Sequence, residues 1–106
     1  MAEDHIEIED LGRVKRLATA LGYRLRLEVL LAHANDGPAS ATTLAFEKGL
    51  GPLQNVSYHQ IKLRDLDVLK RVDTRRRRGA EEHLYDLTDF GREVLDTAVV
   101  FGTKPE

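Results

Sequence analysis

The sequence predicts a mostly α-helical domain that carries a two-stranded β-hairpin. Three observations lead there. Apolar residues recur at helical spacing through most of 11–66 and again over 89–100. Two stretches suited to extended structure, "VLKRVDT" and "EEHLYDLT", flank "RRRRGA", whose glycine gives a tight turn its freedom. Two of the helices are separated by about four residues just before that hairpin. The order helix, helix, helix, short turn, helix, hairpin, helix is the winged helix-turn-helix arrangement.

Each element has its own local cause. Asp10 can cap a first helix in which Leu11, Val14, Leu17, Ala18 and Leu21 recur at steps of three and four. Gly22 interrupts. "RLRLEVLLAHA" then supplies Leu25, Leu27, Val29, Leu30 and Leu31, too apolar for a surface helix, and "NDGP" closes it. Ser40 can cap a short third helix over 41–48, with Leu44 and Phe46 turned inward and Gly49 ending it in a left-handed conformation. Gly51 and Pro52 suit the start of a fourth helix, since proline at the first helical position loses no needed N–H, and this helix reaches about Leu66. Thr88 caps the last helix, about 89–100, with Phe90, Val94, Leu95 and Ala98 on one side.

A chain of 106 residues is expected to form one domain, here 10–100, between a flexible acidic segment 1–9 and a flexible tail 101–106. A core this small gains from dimerisation. Without cysteine there is no disulfide, thiolate metal site or cysteine nucleophile, which suits a reducing cytoplasm. The start "MAEDHIEIED" is acidic, unlike a signal peptide, and no apolar run approaches membrane-spanning length, so a cytoplasmic protein without membrane contact is expected.

The net charge of −2 conceals a strong asymmetry. Residues 1–10 hold five acids and no bases, 11–80 hold fourteen bases and six acids, and 81–106 hold two bases and seven acids. A basic middle between acidic ends points to a polyanion partner.

The fourth helix carries the most informative pattern. On a wheel, Val56, His59, Leu63 and Leu66 share one narrow sector, which is expected to face the core. The opposite sector collects Gln54, Ser57, Tyr58, Ile61 and Asp65, with Lys62 and Arg64 on its flanks and Asn55 beside it. A merely solvated face would favour Lys and Glu. Gln, Asn, Ser and Tyr are short-reach groups able to meet base edges or phosphates in a major groove. At the hairpin, Arg75, Arg76, Arg77 and Arg78 repel one another unless a polyanion is near, and double-stranded DNA supplies one. A solvated turn, a localisation signal or a nonspecific patch are the alternatives.

From "LATALGYRLRLEVLLAH" through "NVSYHQIKLRDLDVLKRVDTRRRRGAEEHLYDLT", the chain resembles the arsenic-repressor-type (ArsR-like) winged-helix transcriptional regulators. The segment "VSYH…L…L", the basic wing and "EHLYDLT" carry the most specific part of the likeness. The resemblance implies a homodimer that represses by occupying a palindromic operator. It makes the fourth helix the recognition helix, with Gln54, Asn55, Ser57, Tyr58, Ile61, Lys62 and Arg64 toward DNA, and Arg75–Arg78 the wing. It places the dimer contact on the first and last helices, through Leu11, Val14, Phe90, Val94, Ala98 and Phe101.

Three departures qualify this. Asp67 stands where many relatives end the recognition helix with glycine, so that end is either capped differently or strained. Gln60 and Ile61 exchange the usual apolar and basic positions, so either Ile61 meets a thymine methyl or the helix is rotated by part of a turn. The Cys-containing sites of metal-responsive relatives are missing, and His5, His33, His59 and His83 form no pair at ligand spacing. Asp89, Glu93 and Asp96 share a helix face but suit a solvated stripe better than a transition-metal site. No metal, cofactor or small-molecule effector is therefore expected. Nor is an enzyme, because no phosphate loop, Cys–His pair or Ser–His–Asp arrangement is present. A winged-helix module that binds another protein, or a nonspecific DNA-binding accessory factor, is the competing reading.

Overall fold

Asp10 starts the first helix as expected, its carboxylate accepting the Arg13 N–H at 2.8 Å. This computed structural model describes residues 5–103, and the outermost parts of the two expected flexible segments, 1–4 and 104–106, lie outside the described residues. The elements are α1 (Leu11–Ala20), α2 (Arg24–Asp36), a π-helical turn (Thr43–Glu47), α3 (Leu53–Asp65), β1 (Leu69–Arg77), β2 (Ala80–Leu87) and α4 (Asp89–Gly102). Helical order thus persists to Gly102, past the expected end at 100. Ser40 caps the short helical segment by accepting the Thr43 N–H at 3.2 Å, and Gly49 ends it at φ 67°.

Val29 and Leu30 of α2, Leu44, Val56 and Leu63 of α3, Val68, Leu69 and Val94 form the centre of the core. α2 is less uniformly buried than its composition suggests. Leu31 is exposed, whereas Arg26 and His33 are buried with partners. Phe46, expected inward, is 71% exposed, because the π-helical turn directs Leu44 and Ala45 to the core and leaves the next position outside. Pro52 stands one residue before the first helical position, as the N-cap of α3.

α3 is turned relative to the expected wheel. Gln60, at 2% exposure, joins Val56 and Leu63 in the core, while His59 is only half-buried at its edge. The amide of Gln60 has partners there, which allows a polar side chain in the interior.

The end of α3 explains Asp67. Its N–H bonds to the Arg64 carbonyl at 2.9 Å, and the Val68 N–H bonds back to the Leu63 carbonyl at 2.9 Å. This is the Schellman termination, which needs a left-handed residue, and Asp67 supplies it at φ 63° where glycine would be unstrained. Thr88 ties the same corner to α4. Its hydroxyl donates to the Asp67 carbonyl at 2.6 Å and accepts the Gly91 N–H at 2.8 Å. A Cβ on Gly91 would stand 2.0 Å from the Val68 carbonyl oxygen, so only glycine permits this approach.

β1 and β2 pair antiparallel from Leu69 opposite Leu87 to Arg77 opposite Ala80, with a bulge at Arg71–Asp73. The strand therefore extends through three of the arginines expected in the loop. Only Arg78 (φ 52°) and Gly79 (φ 81°) make the turn, a pair of left-handed residues typical of a two-residue hairpin. Ala39 adds a stub of third strand, exchanging two 3.0 Å hydrogen bonds with Tyr85.

Candidate nucleic-acid interface

The outward face of α3 is built by its rotation about the Val56, Gln60 and Leu63 side. Gln54, Asn55, Tyr58, Ile61, Lys62 and Arg64 are exposed, and Ser57 is half-buried. Ile61 stays outward despite the rotation, at 39% exposure. Ser57 and Ile61 border an open groove of about 250 Å³ whose opposite wall is Thr42, Glu81, His83 and Tyr85. Residues of α3 and of the hairpin thus flank one depression. Lys62 Nζ lies 5.4 Å from the Tyr58 ring centre, and Arg64 is paired with Asp65 at 3.0 Å. Asp65 holds the Arg64 guanidinium firmly charged, raising its pKa by a hydrogen bond and by its charge.

Behind this face lie two histidine contacts that the sequence did not disclose. Arg26, 4% exposed, donates from Nε to His59 Nδ1 at 3.0 Å and from Nη1 to the Thr19 carbonyl at 2.7 Å. Tyr23 stacks on both members of this pair. His33 Nδ1 lies 3.2 Å from the Gly37 carbonyl and its Nε2 lies 3.4 Å from the Gln60 amide nitrogen. The network assigns Nδ1–H as donor and Nε2 as acceptor, so His33 is neutral. Burial lowers the pKa of both histidines, aided at His59 by the charge of Arg26 and partly opposed at His33 by Gly37 and Asp86.

Strand alternation divides the four wing arginines. Arg75 Nε donates to Glu82 at 2.8 Å, and its Nη2 reaches the Thr43 hydroxyl at 3.3 Å. Arg77 lies 3.6 Å from Glu47 and 3.7 Å from Glu82. Arg76 donates to the Gly79 carbonyl at 3.1 Å, and among the described residues neither it nor Arg78 pairs with a carboxylate. Arg75 above all, by its hydrogen bond, holds the Glu82 carboxyl below its ordinary value. The register that makes this division follows from a turn at Arg78–Gly79, which a sequence reader could have tested by pairing each arginine with its partner across the hairpin.

The residues expected at a dimer contact separate into two groups. Leu11 (68%), Val14 (46%) and Phe101 (91%) are exposed, and Ala98 is half-buried. Phe90 and Val94 belong to the subunit's own core, at 9% and 0% exposure, on a helix that packs against α2 and β2. Arg13 and Arg16 cover the Phe90 ring from α1, and Arg13 pairs with Glu93. Among the described residues no cluster of three or more His, Asp or Glu could hold a metal, and no helix is long and apolar enough to cross a membrane.

Solved structures with the same architecture place the chain among winged helix-turn-helix domains. It superposes on the homodimeric winged helix-turn-helix DNA-binding domain (fragment 1–100) of a possible ArsR-family transcriptional regulator from Mycobacterium bovis. The TM-score is 0.68 at 22% identity, covering 96% of this chain and 94% of that one. A Halomicrobium mukohataei protein with a GntR-superfamily winged helix-turn-helix domain matches with TM-score 0.66 at 18% identity, covering 97% and 83%. Diamide-treated YodB from B. subtilis matches with TM-score 0.55 at 15% identity, covering 95% and 100%. No family model and no curated protein matches the sequence. At these identities the likeness establishes the fold, and the fold is that of a winged helix-turn-helix protein.

Proposed function

We propose that this protein is a sequence-specific, double-stranded-DNA-binding transcriptional regulator of ArsR-like type, a repressor that occupies a palindromic operator as a homodimer. The observation that carries the reading is the exposure of Gln54, Asn55, Tyr58, Ile61 and Lys62 along α3, beside a hairpin ending in Arg76 and Arg78. α3 has the dimensions of a major-groove reader, and its side chains offer both amide groups for adenine edges and an apolar contact for thymine. The free wing arginines suit phosphates, which position the protein without reading sequence. The uncovered apolar residues Leu11, Val14, Val100 and Phe101 support a second subunit against α1 and the end of α4. No effector is part of this proposal, and its site of action is the cytoplasm.

Selection of bound duplexes from a random pool, with the oligomer mass measured alongside, tests the proposal. A recovered palindrome with half-site centres about one helical turn apart, on the order of 34 Å, is expected. Recovery of no sequence preference would leave only a nonspecific binder, and absence of duplex binding would remove the reading.

A further inference from the structure

We infer that Glu82 sets the sequence-independent DNA affinity of the wing, as an internal phosphate mimic that withholds Arg75 from the DNA backbone and, with Glu47, withholds Arg77. The inference rests on the DNA-binding reading above. Its basis is geometric. Glu82 is 9% exposed and sits directly across the ladder from Arg75, with which it makes a 2.8 Å charge-assisted hydrogen bond. Such bonds are among the stronger ones a side chain makes, and a buried carboxylate holds its partner more firmly than a surface one. Arg75 is further fixed by the Thr43 hydroxyl, so it braces the hairpin against the π-helical turn. Arg77 divides its charge between Glu82 and Glu47 on that same turn. Arg76 and Arg78 keep their charge for a ligand.

Four clustered arginines would each add sequence-independent affinity through counterion release. Phosphate neutralisation adds affinity for operator and random DNA alike, so it tightens binding without changing their ratio. Two acids, Glu82 and Glu47, that neutralise half of the wing lower this sequence-independent part and leave the contacts of α3 untouched. Arg75 and Arg77 are accordingly held within the protein, and Arg76 and Arg78 are the wing arginines left to meet phosphate.

The test compares full-length wild type with Glu82→Gln and with the double variant Glu47→Gln/Glu82→Gln, measuring affinity for random-sequence duplex across a salt series. Circular dichroism confirms the fold of each. Each substitution acts in both wings of the dimer, so release of Arg75 should steepen the log-log salt slope by about 1.8 and release of both arginines by about 3.6, with random-duplex affinity rising about tenfold per released arginine near 0.1 M salt. The ratio of operator to random-duplex affinity should stay at its wild-type value, because both gain alike. A merely structural role for Glu82 would instead weaken binding and leave the slope unchanged, and that result overturns the inference. Should either glutamine variant fail to fold, Arg75→Gln/Arg77→Gln provides the reciprocal reading. It is expected to keep the wild-type slope, and a slope flattened by up to about 3.6 for the dimer would show that these arginines already bind phosphates. Wild type that binds no duplex removes the DNA-binding reading and this inference together. Wild type that binds, with unaltered slopes in Glu82→Gln and Glu47→Gln/Glu82→Gln, removes this inference alone.

Discussion

The side-chain amide of Gln60 donates to the main-chain carbonyl of Ala39 at 3.2 Å, and Ala39 in turn pairs with Tyr85 of the wing. One buried polar group therefore joins α3 to the strand stub that registers the hairpin. The same amide nitrogen faces Nε2 of His33, so its removal strands a second buried acceptor.

Truncation at this position should accordingly cost more than the lost volume. Gln60→Ala is expected to destabilise the fold by about 2 to 3 kcal/mol, combining an unfilled space with unsatisfied buried acceptors. Urea unfolding followed by circular dichroism measures this directly. A loss below about 0.5 kcal/mol, the range of an ordinary surface change, would show that the amide is not engaged.

The corner between α3 and α4 predicts two glycine effects of opposite sign. Asp67→Gly should stabilise, by about 0.5 to 1 kcal/mol, since it relieves a left-handed non-glycine residue at the cost of some unfolded-state entropy. Gly91→Ala should destabilise by several kcal/mol, on the order of 3 or more, because its methyl group would overlap the Val68 carbonyl. Thermal melts of the two variants should move in opposite directions. Parallel shifts would contradict the described corner.

These particulars show what was legible in the sequence and what was not. The order of elements, the Asp10, Ser40 and Thr88 caps, and the left-handed Gly49 follow from local chemistry, and each appears as expected. The orientation of α3 did not follow. A wheel assigns polarity to a face, but Gln60 is buried because His33 and Ala39 from other elements satisfy it, and no local pattern contains that information. The wing was only half legible. A run of arginines announces charge, but its division depends on where the turn closes and on Glu82 arriving opposite Arg75. Phe90 and Val94 have the helical spacing of a contact face, yet a subunit core and a dimer seam look alike along one helix.

The two neutral histidines make stability depend on pH. Both have folded pKa values below the ordinary 6.5, so the folded state binds fewer protons than the unfolded state on the acid side. Stability from these groups is complete above about 6.5 and falls as pH drops below it, because a protonated His59 cannot accept from Arg26 and a protonated His33 meets the Gln60 donor. Urea midpoints should decrease between pH 7.5 and 5.5. Imidazole resonances of His33 and His59 that titrate at or above 6.5 would contradict the assignment.

The uncovered face of α1 and α4 predicts an oligomer that charge should disrupt. Placing Glu at Val14 and at Phe101 is expected to convert dimer to monomer while leaving secondary structure intact, since neither side chain is buried in the subunit. Sedimentation measures this. A double variant that keeps the wild-type mass would place the contact elsewhere.

On α3, Gln54→Ala and Tyr58→Ala are expected to weaken operator binding by about 1 to 3 kcal/mol and to relax base choice, whereas Arg76→Ala, acting in both subunits, should weaken all duplexes alike and make the salt slope about 1.8 shallower. The measurement closest to the central claim is therefore the ratio of operator to random-duplex affinity for wild type and Tyr58→Ala at one fixed salt concentration. A ratio that collapses on substitution, with random-duplex binding retained, is the predicted result. A ratio unchanged by loss of Tyr58, or lost equally for both duplexes, would contradict α3 as the element that reads DNA.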